Sequence, residues 1–254
     1  MTPEHIALLF LAAVGAGVMN ALAGGGTLLT FSALIFLREG AIVANATSTV
    51  ALFPGAAASL AGYRHEVATH RAWLRVFFLP SLIGGGIGSF LLLATPERSF
   101  AHLAPGLVFF ATVLFMLQGV VRRRALAAHP GATPRRIALA WLLQLMVAIY
   151  GGYFGAGIGI LMLSVLGFLG LSNIHAMNGL KNFFGLSINV VAAAYFIARG
   201  AVDWHAAPIM IVGAIAGGYG GARLARHVGQ GKARAAVVII GLLVTAILVW
   251  QQWM

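Results

Sequence analysis

Eight apolar blocks, near residues 5–37, 41–63, 72–95, 100–121, 137–170, 174–198, 204–226 and 234–252, leave this chain little choice but to fold as helices in lipid. A spanning helix needs about 20 mostly apolar residues, and each block is near or above that length. In the bilayer core every backbone N–H and C=O must be satisfied within the protein, which a helix does segment by segment. With 61% hydrophobic and 8% charged residues, a water-soluble core of 254 residues could not hide the apolar side chains. The chain therefore reads as an all-α integral membrane protein with little left for a soluble domain.

The net charge of +11 would suggest nucleic acid in a soluble protein. Here the basic residues cluster in short connections between apolar blocks, where they fix topology, so no nucleic acid partner is expected. There is no cysteine, which removes disulfides, thiol nucleophiles and thiolate metal sites from consideration. The first block begins after Glu4 and His5 without a lysine or arginine and lacks a small-residue cleavage site, so it reads as a retained helix rather than a signal peptide.

Blocks one and five are too long for one ordinary crossing, and each is interrupted by glycine, at Asn20 to Gly26 and at Gly151 to Gly159. The two interruptions are related. At an offset of 133, Ala23-Gly24-Gly25-Gly26-Thr27-Leu28 falls on Ala156-Gly157-Ile158-Gly159-Ile160-Leu161, Ala44-Asn45 falls on Met177-Asn178, and Gly84-Gly85 falls on Gly217-Gly218. One offset held across three separate clusters points to duplication. The chain divides into a first repeat over 1–121, a basic cytoplasmic linker over 122–136 and a second repeat over 137–254.

Two topologies follow. If every block crosses once, eight crossings place nine basic loop residues on one side and six on the other. If the two long blocks are hairpins, the connections at 64–75, 122–136 and 223–234 share the cytoplasmic side and carry twelve basic residues against three, Arg38, Arg98 and Arg199. Positive charge concentrates in cytoplasmic loops, which favours the second arrangement. Five passages per half is an odd number, so the halves would be inverted, with both termini outside.

Polar side chains inside the blocks concentrate at corresponding places. Asn45, Thr47, Ser48 and Thr49 follow the first break; His175, Asn178, Lys181 and Asn182 follow the second, with Ser187 and Asn189 further on. Asn45, Ser48 and Thr49, and likewise Asn178, Lys181 and Asn182, are spaced to share one helix face. Buried polar groups in a membrane are costly enough to need a reason. Meeting at mid-membrane, the two faces would offer hydroxyl and amide donors and one ammonium to an anion, helped by N–H groups at the breaks formed by Gly24, Gly25, Gly26, Gly157 and Gly159. The packing alternative is that these small and polar residues only join helices. Lys181 is the sharpest case: it alone among lysines and arginines falls well inside a block, and Glu4, Glu39, Glu66, Glu97 and Asp203 all sit at block ends. An incoming anion would supply the missing charge; the alternative is a lysine that snorkels to the interface. His175 is the histidine to watch for protonation. His65, His70, His129 and His227 fall in basic loops. No paired carboxylates, metal-ligand cluster or nucleophile with a base is readable, so neither an enzyme nor a cofactor nor a metal site is expected.

Gly24-Gly25-Gly26-Thr27-Leu28-Leu29, Ala44-Asn45-Ala46-Thr47-Ser48 and the run from Pro54-Gly55 through Gly62-Tyr63-Arg64 resemble the sulfite exporter TauE/SafE family of bacterial membrane permeases. The second half resembles it through Gly155-Ala156-Gly157-Ile158-Gly159, the Asn178 to Asn182 segment and Gly217-Gly218 to Gly221, so that the likeness runs from about residue 8 to 250. It implies transport of small sulfur-containing or organic anions, such as sulfite, sulfoacetate or related sulfonates, across the bacterial inner membrane. The second half departs from the family's Ala-Thr pattern, reading Met177-Asn178-Gly179-Leu180-Lys181.

Together these readings lead to a secondary carrier that exports an anion by alternating access, its partners being the solute, the lipid bilayer and a second copy in a homodimer. The rival readings are an anion channel and a non-transporting membrane subunit.

Overall fold

The computed structural model of the chain describes residues 1–22, 25–61, 64–127, 133–171, 173–224 and 230–253. Ala23 and Gly24 of the first break, Gly62 and Tyr63, the linker residues His129, Pro130 and Gly131, and Arg226 and His227 lie outside the described residues.

Among the described residues the chain forms eleven helices and no strand: α1 (Pro3–Leu22), α2 (Thr27–Phe36), α3 (Ala41–Ala61), α4 (Arg64–Thr69), α5 (Arg71–Ala94), α6 (Glu97–Ala127), α7 (Pro134–Tyr153), α8 (Ile158–Phe168), α9 (Ile174–Ala198), α10 (Ala207–Leu224) and α11 (Gln230–Trp253). Six of them, α1, α3, α5, α6, α7 and α9, are long and apolar enough to cross a membrane; α2, α8 and the apolar parts of α10 and α11 are shorter. The protein is a multi-pass membrane protein. Large apolar side chains such as Leu11, Leu79, Phe90, Met146, Val212 and Ile239 stand on the outer surface, where lipid would meet them.

Each long apolar block divides into two helices that fold back on one another. A Cβ built on Gly26 would lie 2.3 Å from the carbonyl oxygen of Ala16, and one on Gly15 would touch Leu29, so α2 runs back along α1. In the second block the Tyr150 hydroxyl donates to the Ala156 carbonyl at 2.7 Å, and Gly151 faces Ile158. Gly155 and Gly157 hold φ of 81° and 80°, the left-handed region that glycine enters without penalty, and so let the backbone reverse there. α2 then turns into α3, and α8 ends back beside the start of α7. Thr30 and Ser48 share a hydrogen bond between α2 and α3, and the Arg136 guanidinium at the start of α7 lies 5.9 Å over the Phe168 ring at the end of α8.

Packing repeats when the halves are exchanged. α1 packs chiefly on α10, and their counterparts α7 and α5 pack on each other; α3 meets α10 as α9 meets α5. Both pairs approach closely through glycine spaced at four, Gly213 and Gly217 on α10, Gly84 and Gly88 on α5, each set against the backbone of the facing helix. This is how helices associate in lipid, where apolar burial alone provides little drive. Phenylalanines fill the interior on either side, Phe31 edge-on to Phe154 at 5.4 Å in one cluster and Phe77 edge-on to Phe184 at 6.0 Å in the other.

Arg38, Glu39 and Glu97 line one pocket between the turns before α3 and α6, and Asp203, between α9 and α10, lies near enough to Glu39 to act on its charge. There the Glu97 carboxylate accepts the N–H of Ala41 and, at 3.2 Å, the N–H of Ile42, capping α3 from another element. A carboxylate at a helix N-terminus also meets the positive end of its dipole. Glu97→Ala is expected to cost about 1 kcal/mol, read as a lower thermal unfolding midpoint in detergent. Glu39, in the same pocket, has its carboxyl pushed above the usual range first by partial burial and then by the neighbouring Asp203 charge, with His205 acting the other way. The folded protein holds that proton more tightly than the unfolded chain does, so this group's contribution to stability grows as pH falls through the raised value.

Candidate functional site

Between α3 and α9 lies a cavity of about 70 Å³, reached by both breaks. Its walls are built from the same register in the two halves. Thr49, Leu52 and Ala56 of α3 line it, and so do Asn182, Gly185 and Asn189 of α9, each residue 133 positions from its mate. Positions three and seven apart return to one helical face, which is why these trios look into one space. Gly25, Thr27, Gly155, Ile158 and Gly159 from the breaks, Asn20 from the end of α1, Met162 from α8, and Lys181 and Leu186 from α9 complete the wall. Asn20 accepts the Gly26 N–H at 2.8 Å and so closes the first break over the cavity. α2 and α8 both begin at this wall, and a helix start presents the positive end of its dipole.

Lys181 is 4% exposed, and no hydrogen bond or ion pair joins it to a described residue. The side-chain nitrogen of Asn182, next to it, is buried without a partner. Buried donors are almost always satisfied, because leaving one unmade costs about 1–3 kcal/mol and more when the group is charged. An unmet amide donor beside a lysine with no described partner, at one small cavity, is therefore an arrangement that suits an acceptor.

The structure sorts the residues that the sequence singled out. Thr49, Lys181, Asn182, Gly25 and Gly159 line the cavity. The Thr49 hydroxyl is spent on the Asn45 carbonyl at 3.0 Å, so in this state Thr49 shapes the wall rather than donating into it. Asn45, Thr47 and Ser48 do not line it. The Asn45 amide donates to the Tyr153 carbonyl at 2.9 Å and ties α3 to the end of α7. The Thr47 hydroxyl accepts the Asp203 N–H at 2.9 Å, and Ser48 bonds to Thr30. Ser48 lies 133 positions from Lys181, so the same register holds a fastened hydroxyl in one half and, in the other, an ammonium with no partner among the described residues. Asn178 is half-buried outside the cavity wall. Gly26 sits against Ala16, and Gly157 packs beside Ala111 and Leu114. Gly24 lies outside the described residues. His175 is exposed in the first turn of α9, where Asn173 caps the helix. Asn20 and Gly185 carry no weight in the sequence reading, yet both stand on the wall; helical spacing of four from Lys181 would have found Gly185.

Comparison with known proteins identifies the family. The family model described as "Sulfite exporter TauE/SafE" matches residues 9–248. A protein of Haemophilus influenzae named "Probable membrane transporter protein" is 28% identical over 260 residues, covering 98% of this chain and 96% of its own length. The Escherichia coli K12 protein named "Probable membrane transporter protein YfcA" is 25% identical, covering 99% of this chain and 92% of its own. A Sinorhizobium relative, "Probable membrane transporter protein ORF9", is 26% identical over 93% of this chain and 89% of its own. No solved structure matches. A family match across nearly every helix, together with relatives similar from end to end, makes this chain a member of the sulfite exporter TauE/SafE family, a family of membrane transporters.

Proposed function

We propose that the chain is a secondary carrier that exports small sulfur-containing or organic anions, sulfite and sulfonates among them, across the bacterial inner membrane by alternating access to the central cavity. The observation that carries this reading is Lys181, a buried cation without a partner among the described residues, on the wall of a cavity lined by matching positions of α3 and α9. Lys181 neutralises the anion, and Asn182 and Asn189 hydrogen-bond its oxygens. The exchange-related packing of α1 on α10 and α7 on α5, and the two folded-back blocks, support halves that are inverted relative to each other. Rocking one half against the other would then open the cavity to either side.

Direction follows from energy. A membrane potential of about 100 mV, negative inside, favours the exit of a monoanion by roughly 2.3 kcal/mol, so export needs no coupled ion. The test is counterflow of labelled sulfite in proteoliposomes. A carrier exchanges internal for external anion and saturates; a channel shows no counterflow. Asn182→Ala is expected to reduce exchange about tenfold, the worth of one hydrogen bond to a charged group, and wild-type exchange in that variant would remove Asn182 from the site.

A further inference from the structure

We infer that the cavity selects its solute by charge count and by width: it takes one small monovalent anion, seated at Lys181 over the open wall at Gly185, and turns away dianions. This rests on the reading of the cavity as the transport site. Among the described residues of the wall, Lys181 alone is charged; Asn20, Thr27, Thr49, Asn182 and Asn189 are neutral and the others apolar or glycine. One ammonium cancels one negative charge. A second would stay uncompensated inside the membrane, a situation costly enough to weaken binding on the order of a hundredfold.

Width is set at Gly185. It lies four residues after Lys181, on the same helix face. Gly84, Gly88, Gly213 and Gly217 press against a facing helix, but a Cβ built on Gly185 meets nothing within 4 Å. Its missing side chain is cavity space rather than helix packing, and its mate across the duplication is the bulky Leu52. The resulting space is small, about 70 Å³, which suits a compact oxyanion head with a short tail. Within the proposed solutes, the structure thus favours hydrogensulfite and short monosulfonates over sulfoacetate and sulfate.

The experiment is a thermal-shift titration of the purified full chain in detergent with methanesulfonate, sulfoacetate and sulfate at matched ionic strength, since a ligand that binds the folded state raises its unfolding midpoint. Methanesulfonate is expected to bind wild type on the order of a hundredfold more tightly than either dianion. Lys181→Met should lose the shift. Gly185→Val should keep the ligand-free midpoint while binding methanesulfonate about tenfold more weakly. Equal affinity for sulfoacetate and methanesulfonate, with the shift lost in Lys181→Met, overturns the charge selection and leaves the site standing. A shift that survives in Lys181→Met, or none with any of the three anions in wild type, overturns the site and this inference together. Unchanged binding in Gly185→Val overturns the role given to width.

Discussion

Lys181→Met is expected to lower anion counterflow by at least about a hundredfold while leaving the protein as stable as wild type or more so. The two halves of that result have one cause. Lys181 is 4% exposed and pairs with no carboxylate among the described residues, so its ammonium contributes desolvation cost without a compensating ion pair. Methionine fills nearly the same volume with an apolar chain, and replacing buried charge in this way is neutral or stabilising by roughly 1–4 kcal/mol. Flux measured in proteoliposomes and the unfolding midpoint in detergent should therefore move in opposite directions, or the midpoint should stay still. If both fall together, Lys181 serves the fold and the carrier reading loses its main support.

Gly217→Val and Gly88→Val are expected to prevent assembly, each costing more than about 4 kcal/mol. A Cβ on Gly217 would stand 2.0 Å from the carbonyl oxygen of Val14, and one on Gly88 would stand 2.1 Å from that of Ile149. Neither neighbour is a side chain that can swing aside; both are helix backbone, so the helices themselves must separate. The affected pairs, α1 with α10 and α5 with α7, have the most extensive packing in the described structure. Gly220→Ala is the control, because nothing lies within 4 Å of the added methyl and alanine favours a helix by about 0.5–1 kcal/mol. Size-exclusion profiles and thermal unfolding separate the cases, and a monodisperse, stable Gly217→Val protein would show that α1 and α10 do not approach this closely.

Most of the fold is legible in the sequence because lipid leaves few options. Block length alone announces the helices, and the two overlong blocks with their glycines announce the reversals that end α1 at Leu22 and α7 at Tyr153. The site is only partly legible. Helical spacing places Asn45, Ser48 and Thr49 on one face, yet α3 is packed from several directions, by α2, α9 and α10 and by the end of α7. A stripe that means one neighbour on a surface helix means several on an enclosed one. Asn45 therefore reaches Tyr153, Ser48 reaches Thr30, and Thr49 reaches the cavity. Spacing cannot tell a polar side chain that fastens two helices from one that waits for a solute; that distinction needs the partner, and only the three-dimensional arrangement supplies it. Lys181 escapes the ambiguity because an embedded charge has so few stable alternatives.

The mismatch between Ser48 and Lys181 has a consequence for the two leaflets. Swapping the halves carries Thr49 onto Asn182 and Leu52 onto Gly185, but it carries a tethered hydroxyl onto an untethered cation. Within the proposed carrier, a chamber with that imbalance is not equivalent under exchange of the halves, so its energy would differ according to the side toward which it opens. In the carrier proposed above, two matching halves would furnish a reversible frame, and the difference at this one pair of positions would make its forward and backward strokes unequal.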